Sequence, residues 1–80
     1  MLKILLAEDD LDTRQFVARG LREHGHNVLA ASNGEDALHL ALTETLDVII
    51  LDRMLPQLDG LSVLKRLRVA DITTPVLMLT

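Results

Sequence analysis

The sequence has no cysteine, no tryptophan and no tyrosine, and Phe16 is its only aromatic residue among 80. Without cysteine there are no disulfides, no thiolate chemistry and no zinc site built on sulfur. Without bulky rings the core must be aliphatic, and hydrophobic residues at 49% supply the material for one. Charged residues at 25% are ordinary for a folded domain and exclude a disordered chain, in which apolar content falls as net charge climbs. Long apolar runs are missing as well. None exceeds four residues (Ile4–Ala7, Val28–Ala31, Val48–Leu51 and Val76–Leu79), far short of the about 20 that a membrane-spanning helix needs. No membrane role is therefore expected. A lone Lys3 ahead of an acidic cluster makes neither a signal nor a transit peptide, so the expected setting is cytoplasmic. Twelve acidic against 8 basic residues give a net charge of −4, which disfavours nucleic acid as a direct partner of this segment. A chain of this length buries only about 60% of its unfolded surface. The high apolar fraction thus means either an unusually rich core or a surface that expects a partner.

The four apolar runs are short, rich in Val, Ile and Leu, and not alternating, as strands buried on both faces of a parallel sheet are. Strands are expected at Lys3–Ala7, Asn27–Ala31, Asp47–Leu51 and Pro75–Leu79. The segments between them have helical period. The first, Asp10–His24, starts at Asp10 or Asp12, turns Phe16, Val17, Gly20 and Leu21 inward, and stops at Gly25. Asn33-Gly34 opens the second, with Ala37, Leu38, Ala41 and Leu42 on one stripe, and Asp59-Gly60 opens the third, with Leu61, Leu64 and Leu67 inward and Lys65, Arg66 and Arg68 outward. Pro75 bars helix and restarts the chain as strand. Strict alternation of strand and helix predicts an open parallel α/β sheet with right-handed crossovers and helices on both faces. In such sheets ligands bind beyond the carboxyl ends of the strands.

Acidic residues cluster at those ends. Glu8-Asp9-Asp10 and Asp12 follow the first strand, and Asp52 follows the third. Neighbouring parallel strands lie about 4.8 Å apart, so two such ends would place at least two carboxylates in one pocket. Like charges that close repel and raise each other's pKa unless a cation neutralises them, and hard oxygen donors with open positions suit Mg2+. Asp10 and Asp12 are better read as the cap and first turn of a helix. Glu8 and Asp9 precede the helix, and Asp52 alone would be an ordinary turn residue. The pairing of the two clusters is what suggests a site. His24, His26 and His39 share no helical spacing and read as surface or capping residues.

Four segments in register, Ile4–Asp10, Asp47–Pro56, Asp59-Gly60 and Pro75–Thr80, resemble a response-regulator receiver domain of two-component signalling along the whole sequence. The Asp52-Arg53-Met54-Leu55-Pro56 stretch is similar to the OmpR-type branch, whose members usually carry a winged-helix DNA-binding domain afterwards. The resemblance implies a flavodoxin-like (CheY-like) sheet of order 2-1-3-4. It implies that Asp52 is the phosphoacceptor, phosphorylated by a sensor histidine kinase with Mg2+ as cofactor. Asp9 would ligate the metal, Glu8 would hold it through water, and the Met54 backbone carbonyl and Asp52 would complete the protein ligands. Thr80 would hydrogen-bond the phosphoryl group, although by itself it reads as an ordinary strand residue. Arg53 reads as a solvated loop charge, and Met54 and Leu55 as loop cover.

The resemblance also implies a further helix, a fifth strand bearing a lysine and a last helix, none of which the sequence contains, so residues 1–80 are expected to be a partial receiver domain. Loss of one preorganised charge partner of a phosphoryl group typically costs about 100-fold or more in rate, and poor phosphorylation of this segment alone is expected. Contact with DNA would come only through a C-terminal domain outside this sequence. Two other readings stand beside this one. One is a non-phosphorylating fragment that pairs through the exposed edge of strand four into a homodimer or higher oligomer. The other is a Mg2+-dependent aspartyl-phosphate hydrolase. Haloacid dehalogenase-like phosphatases, however, want a carboxylate two residues after the nucleophile, where this chain has Met54.

Overall fold

A computed structural model describes residues 1–79. The chain runs β1 (Lys3–Ala7), α1 (Leu11–Glu23), β2 (Asn27–Ala31), α2 (Gly34–Thr43), β3 (Val48–Asp52), α3 (Gly60–Val69) and β4 (Val76–Leu79). All strand pairs are parallel and the sheet order is β2-β1-β3-β4, the flavodoxin-like order that the family resemblance implies. β1 and β2 have the bounds read from sequence. β3 starts and ends one residue later than expected. The Asp47 carboxylate is drawn off to the Lys3 N–H at 2.7 Å, and Asp52 is pulled into the sheet as the partner of Leu79. β4 starts at Val76, although the Pro75 carbonyl still accepts from the Ile49 N–H at 3.0 Å.

Each helix opens on a side-chain cap. Asp10 accepts from the Thr13 N–H, Asn33 from the Asp36 N–H and Asp59 from the Ser62 N–H, so orphan first-turn donors are satisfied. α1 closes as predicted on Gly25 at φ +86, where the Gly25 N–H reaches the Arg22 carbonyl and the His26 N–H that of Leu21. His24 is the C-cap of α1 and His26 Nδ1 accepts from the Leu2 N–H, in keeping with their reading as capping or surface residues.

Alternation along the strands splits the core in two. Leu5, Ala7, Ala31, Ile49 and Leu51 pack on Ala37 and Ala41 of α2 and on Val63 and Leu67 of α3. On the other face Ile4, Leu6 and Val28 pack on Ala18 of α1, with Val17 and Leu21 beside them. Helices therefore cover both faces of the sheet. The predicted helical faces need correction. Phe16 is 78% exposed, because the stripe facing the sheet is centred on Ala18, with Val17 and Leu21 beside it. Leu42 and Leu61 are also exposed, and the first turn of α3 buries Gly60 and Val63 instead. Among the described residues no helix is long and apolar enough to cross a membrane.

Candidate metal and phosphoryl site

The register of β1 on β3 pairs Ala7 with Leu51, so one step further along, Glu8 just past β1 and Asp52 at the end of β3 come side by side. Carboxylate oxygens of Glu8, Asp9 and Asp52 lie within 4.8 Å of one another, at the carboxyl end of the two central strands. Asp9 is exposed and Asp52 half-buried. Burial pushes the Glu8 carboxyl above its ordinary range, the Asp10 N–H bound to Glu8 Oε2 at 3.0 Å pulls it back, and the nearby Asp9 and Asp52 carboxyls push it up again. Three acidic groups at this spacing form a pocket of hard oxygen donors with an excess of negative charge, which fits Mg2+.

Two loops carry these groups. The β1–α1 loop is fixed by Glu8 N–H donating to the Ala31 carbonyl at 3.0 Å, and by the Arg14 guanidinium donating to the Glu8 carbonyl at 2.9 Å and the Asp9 carbonyl at 3.4 Å. The β3–α3 loop turns at once, because the Met54 N–H donates to Asp52 Oδ1 at 3.0 Å. Leu55 is 6% exposed and anchors that loop in the α2/α3 core, while Met54 is 77% exposed. Two glycines let the loop sit where it does. A Cβ on Gly60 would lie 2.4 Å from the Asp52 carbonyl, and one on Gly34 1.6 Å from the Leu58 carbonyl. The Gly34 N–H also donates to the Pro56 carbonyl at 3.1 Å.

Of the residues singled out from sequence, Glu8, Asp9 and Asp52 come together, and Met54 is hydrogen-bonded beside them through its N–H. Asp10 is the N-cap of α1 and Asp12 lies in its first turn, outside the cluster. Arg53 is exposed, as read. Thr80 lies outside the described residues. Sequence reasoning missed Arg14. Its signal was weak: a cation one turn after the cap Asp10, indistinguishable from an ordinary surface arginine.

The family model described as "Response regulator receiver domain" matches residues 4–80. Transcriptional regulatory protein HprR of Escherichia coli (strain K12) is 48% identical over 79 residues, which are 99% of this chain and 35% of that protein. The chain thus spans about a third of the length of the curated relatives it matches. The Francisella response regulator 1452 receiver domain superposes with a TM-score of 0.94 at 42% identity, over 98% of this chain and 64% of that one. The receiver domain of sensor histidine kinase PA1611 from Pseudomonas aeruginosa PAO1, which has a magnesium ion coordinated in its active-site cleft, superposes with a TM-score of 0.93 at 31% identity. It covers 99% of this chain and 66% of that one.

Proposed function

The chain belongs to the response-regulator receiver family, and from that premise we propose that it is a phosphoacceptor segment phosphorylated on Asp52 by a sensor histidine kinase. The observation that carries the reading is the meeting of Glu8, Asp9 and Asp52 oxygens within 4.8 Å at the ends of β1 and β3. In this reading Asp9, Asp52 and the Met54 carbonyl hold Mg2+, with Glu8 acting through water. The ion, when bound, neutralises charge on the phosphoryl oxygens.

The residues of the chain do the rest. Asp52 Oδ1 accepts from the Met54 N–H, which orients the carboxylate and presents Oδ2 as nucleophile. Oδ2 forms a bond to phosphorus as the phosphorus–nitrogen bond of the donor phosphohistidine breaks, and the imidazole leaves with its electron pair and takes a proton. Thr80, next in sequence after Leu79, supplies a hydroxyl to the phosphoryl group. The module signals and does not turn over a substrate. Its output runs to transcription through an effector domain elsewhere in the protein, as the regulatory names of the relatives support. Residues 1–80 act as the first part of the receiver, a reading supported by the share of solved receiver chains that they cover.

Incubation with Mg2+ and acetyl phosphate tests the assignment, comparing the chain with Asp52→Asn, each alone and extended by the remaining receiver residues of a relative. Acid-stable, hydroxylamine-labile phosphate on the wild type that Asp52→Asn lacks is the expected result. Its absence from the extended wild type would sink the phosphoacceptor reading. A second reading rests on β4, which lies at the sheet edge with Leu77 55% exposed. Unpaired apolar edges invite strand addition, so the isolated 80-residue chain pairs with a second copy there. Sedimentation of a concentration-independent monomer would refute it.

A further inference from the structure

We propose that Arg14 is a positioning residue that holds Asp9 in ligating geometry, an inference that rests on reading the acidic pocket as a Mg2+ site. Arg14 lies on the first turn of α1 among acidic residues, yet among the described residues it forms no ion pair. Its NH1 group instead donates to two successive carbonyls, those of Glu8 at 2.9 Å and Asp9 at 3.4 Å. Those carbonyls belong to the two peptide planes that flank the Asp9 Cα. Fixing both planes fixes the backbone dihedrals of Asp9, and with them the direction in which its carboxylate leaves the chain.

The other restraints on this loop are less suited to the task. The Glu8 N–H bond to Ala31 at 3.0 Å acts one residue before Asp9, on the sheet side. The Asp10 N–H bond to Glu8 Oε2 at 3.0 Å uses an oxygen that a metal or its water would draw on, so it competes with occupancy of the pocket. Arg14 uses only backbone acceptors and leaves the carboxylates free. A guanidinium also presents several donors in a planar fork, whereas an ammonium is a point charge without that geometry. Two effects of removing Arg14 oppose each other. Loss of a cation near three carboxylates favours Mg2+ by simple electrostatics, and that benefit shrinks as salt screens it. Loss of the support for Asp9 disfavours Mg2+, and removal of such outer supports typically costs about 10-fold to 100-fold in metal affinity. Arg14 is half-buried and its bonds are short-range, so the second effect dominates at moderate salt.

Mg2+ titration of the 15N-labelled chain, followed through the amide shifts of the two loops in about 0.15 M KCl, where the Debye length is about 8 Å, reads this directly. Arg14→Ala is expected to raise Kd about tenfold or more, with Arg14→Lys intermediate, and to speed hydrogen exchange at the Asp10 amide in the absence of metal. Arg14→Gln, a shorter neutral side chain that stays polar but cannot reach both carbonyls, takes the same measurements if Arg14→Ala does not fold. An unchanged or tighter Kd in both neutral variants, with wild type saturating normally, overturns the positioning role alone. Failure of the wild type to show saturable binding overturns the reading of the pocket, and this inference with it.

Discussion

The carbonyl oxygen of Leu58 occupies the place beside Gly34 where any side chain would begin, 1.6 Å from the position of a Cβ. The β3–α3 loop thereby leans on the first residue of α2, and the Gly34 N–H completes the contact by donating to Pro56 at 3.1 Å. The same loop carries Met54 and is rooted by Leu55. Gly34→Ala must therefore push the loop away or lift α2 from the sheet. Overpacking of this kind costs about 1–3 kcal/mol, and the loop gives way more easily than the helix. The expected outcome in urea denaturation is a loss of that size, together with weaker Mg2+ binding. A variant with unchanged stability and unchanged metal affinity would show that the loop is not held by Gly34.

Asp9 has opposite effects on the empty and loaded pocket. Three carboxylates within 4.8 Å repel one another, and at about 4 Å each pair is worth about 1 kcal/mol even in bulk water. Asp9→Asn removes two of the three pairs and is expected to stabilise the metal-free chain by about 1–2 kcal/mol. Ligand linkage stabilises the wild type by about 2.7 kcal/mol at about 100 times Kd, and the variant should lose that response to Mg2+. Thermal melts with and without Mg2+ check both halves. A destabilised metal-free variant, or one that still responds to the ion, contradicts the ligand assignment.

Much of this fold was legible because strand and helix signals here are local. β1 and β2 follow from four-residue apolar runs, and Asp10, Asn33 and Asp59 announce the helix starts by residue type. The pairing of Glu8 with Asp52 was legible once the family resemblance made β1 and β3 neighbours, since parallel register then brings the two acidic strand ends together. Phe16 misled because Phe16, Val17, Gly20 and Leu21 form a plausible stripe. The true one runs through Val17, Ala18 and Leu21, and a small residue at its centre carries little hydrophobic signal. The Arg14 bonds to Glu8 and Asp9 left only the weak signal of a cation one turn after Asp10, and the contact of Gly34 with Leu58 left none. Each depends on where a loop and a helix end meet in space, which no periodicity encodes.

Asp59 links helix capping to pH. The Ser62 N–H donates to Asp59 Oδ1 at 2.9 Å and the Ser62 hydroxyl to Oδ2 at 2.9 Å, which hold the Asp59 carboxyl below its ordinary pKa. A carboxyl depressed in the folded state contributes stability that is fully present above the unfolded pKa, and it loses that stability as pH falls through the folded one. Asp59→Ala should therefore melt earlier than wild type at pH 7. The gap should close as the pH is lowered through and below about 4, the range of an unperturbed aspartate. A gap that stays constant down to low pH would mean that the carboxylate charge has no part in the cap.

The end of α3 tests backbone conformation without touching the pocket. Asp71 sits at φ 61, just past the C-cap Ala70, and the Ile72 N–H reaches back to the Leu67 carbonyl at 2.9 Å while the Asp71 N–H reaches that of Arg68 at 3.1 Å. This is the same closure that Gly25 makes for α1, built on a residue with a side chain. Aspartate tolerates the left-handed region better than most residues, whereas a β-branched side chain there meets the backbone directly. Asp71→Val is expected to destabilise by about 1–3 kcal/mol, and Asp71→Gly to be close to neutral, relief of strain offsetting the added freedom of the unfolded chain. Both variants should bind Mg2+ as the wild type does, because α3 meets the pocket only at its opposite end, where Gly60 packs on the Asp52 carbonyl. Urea midpoints and metal titrations on the same samples separate the two effects. Equal stability of Asp71→Val and wild type would show that the α3 terminus relaxes out of the left-handed turn at no cost.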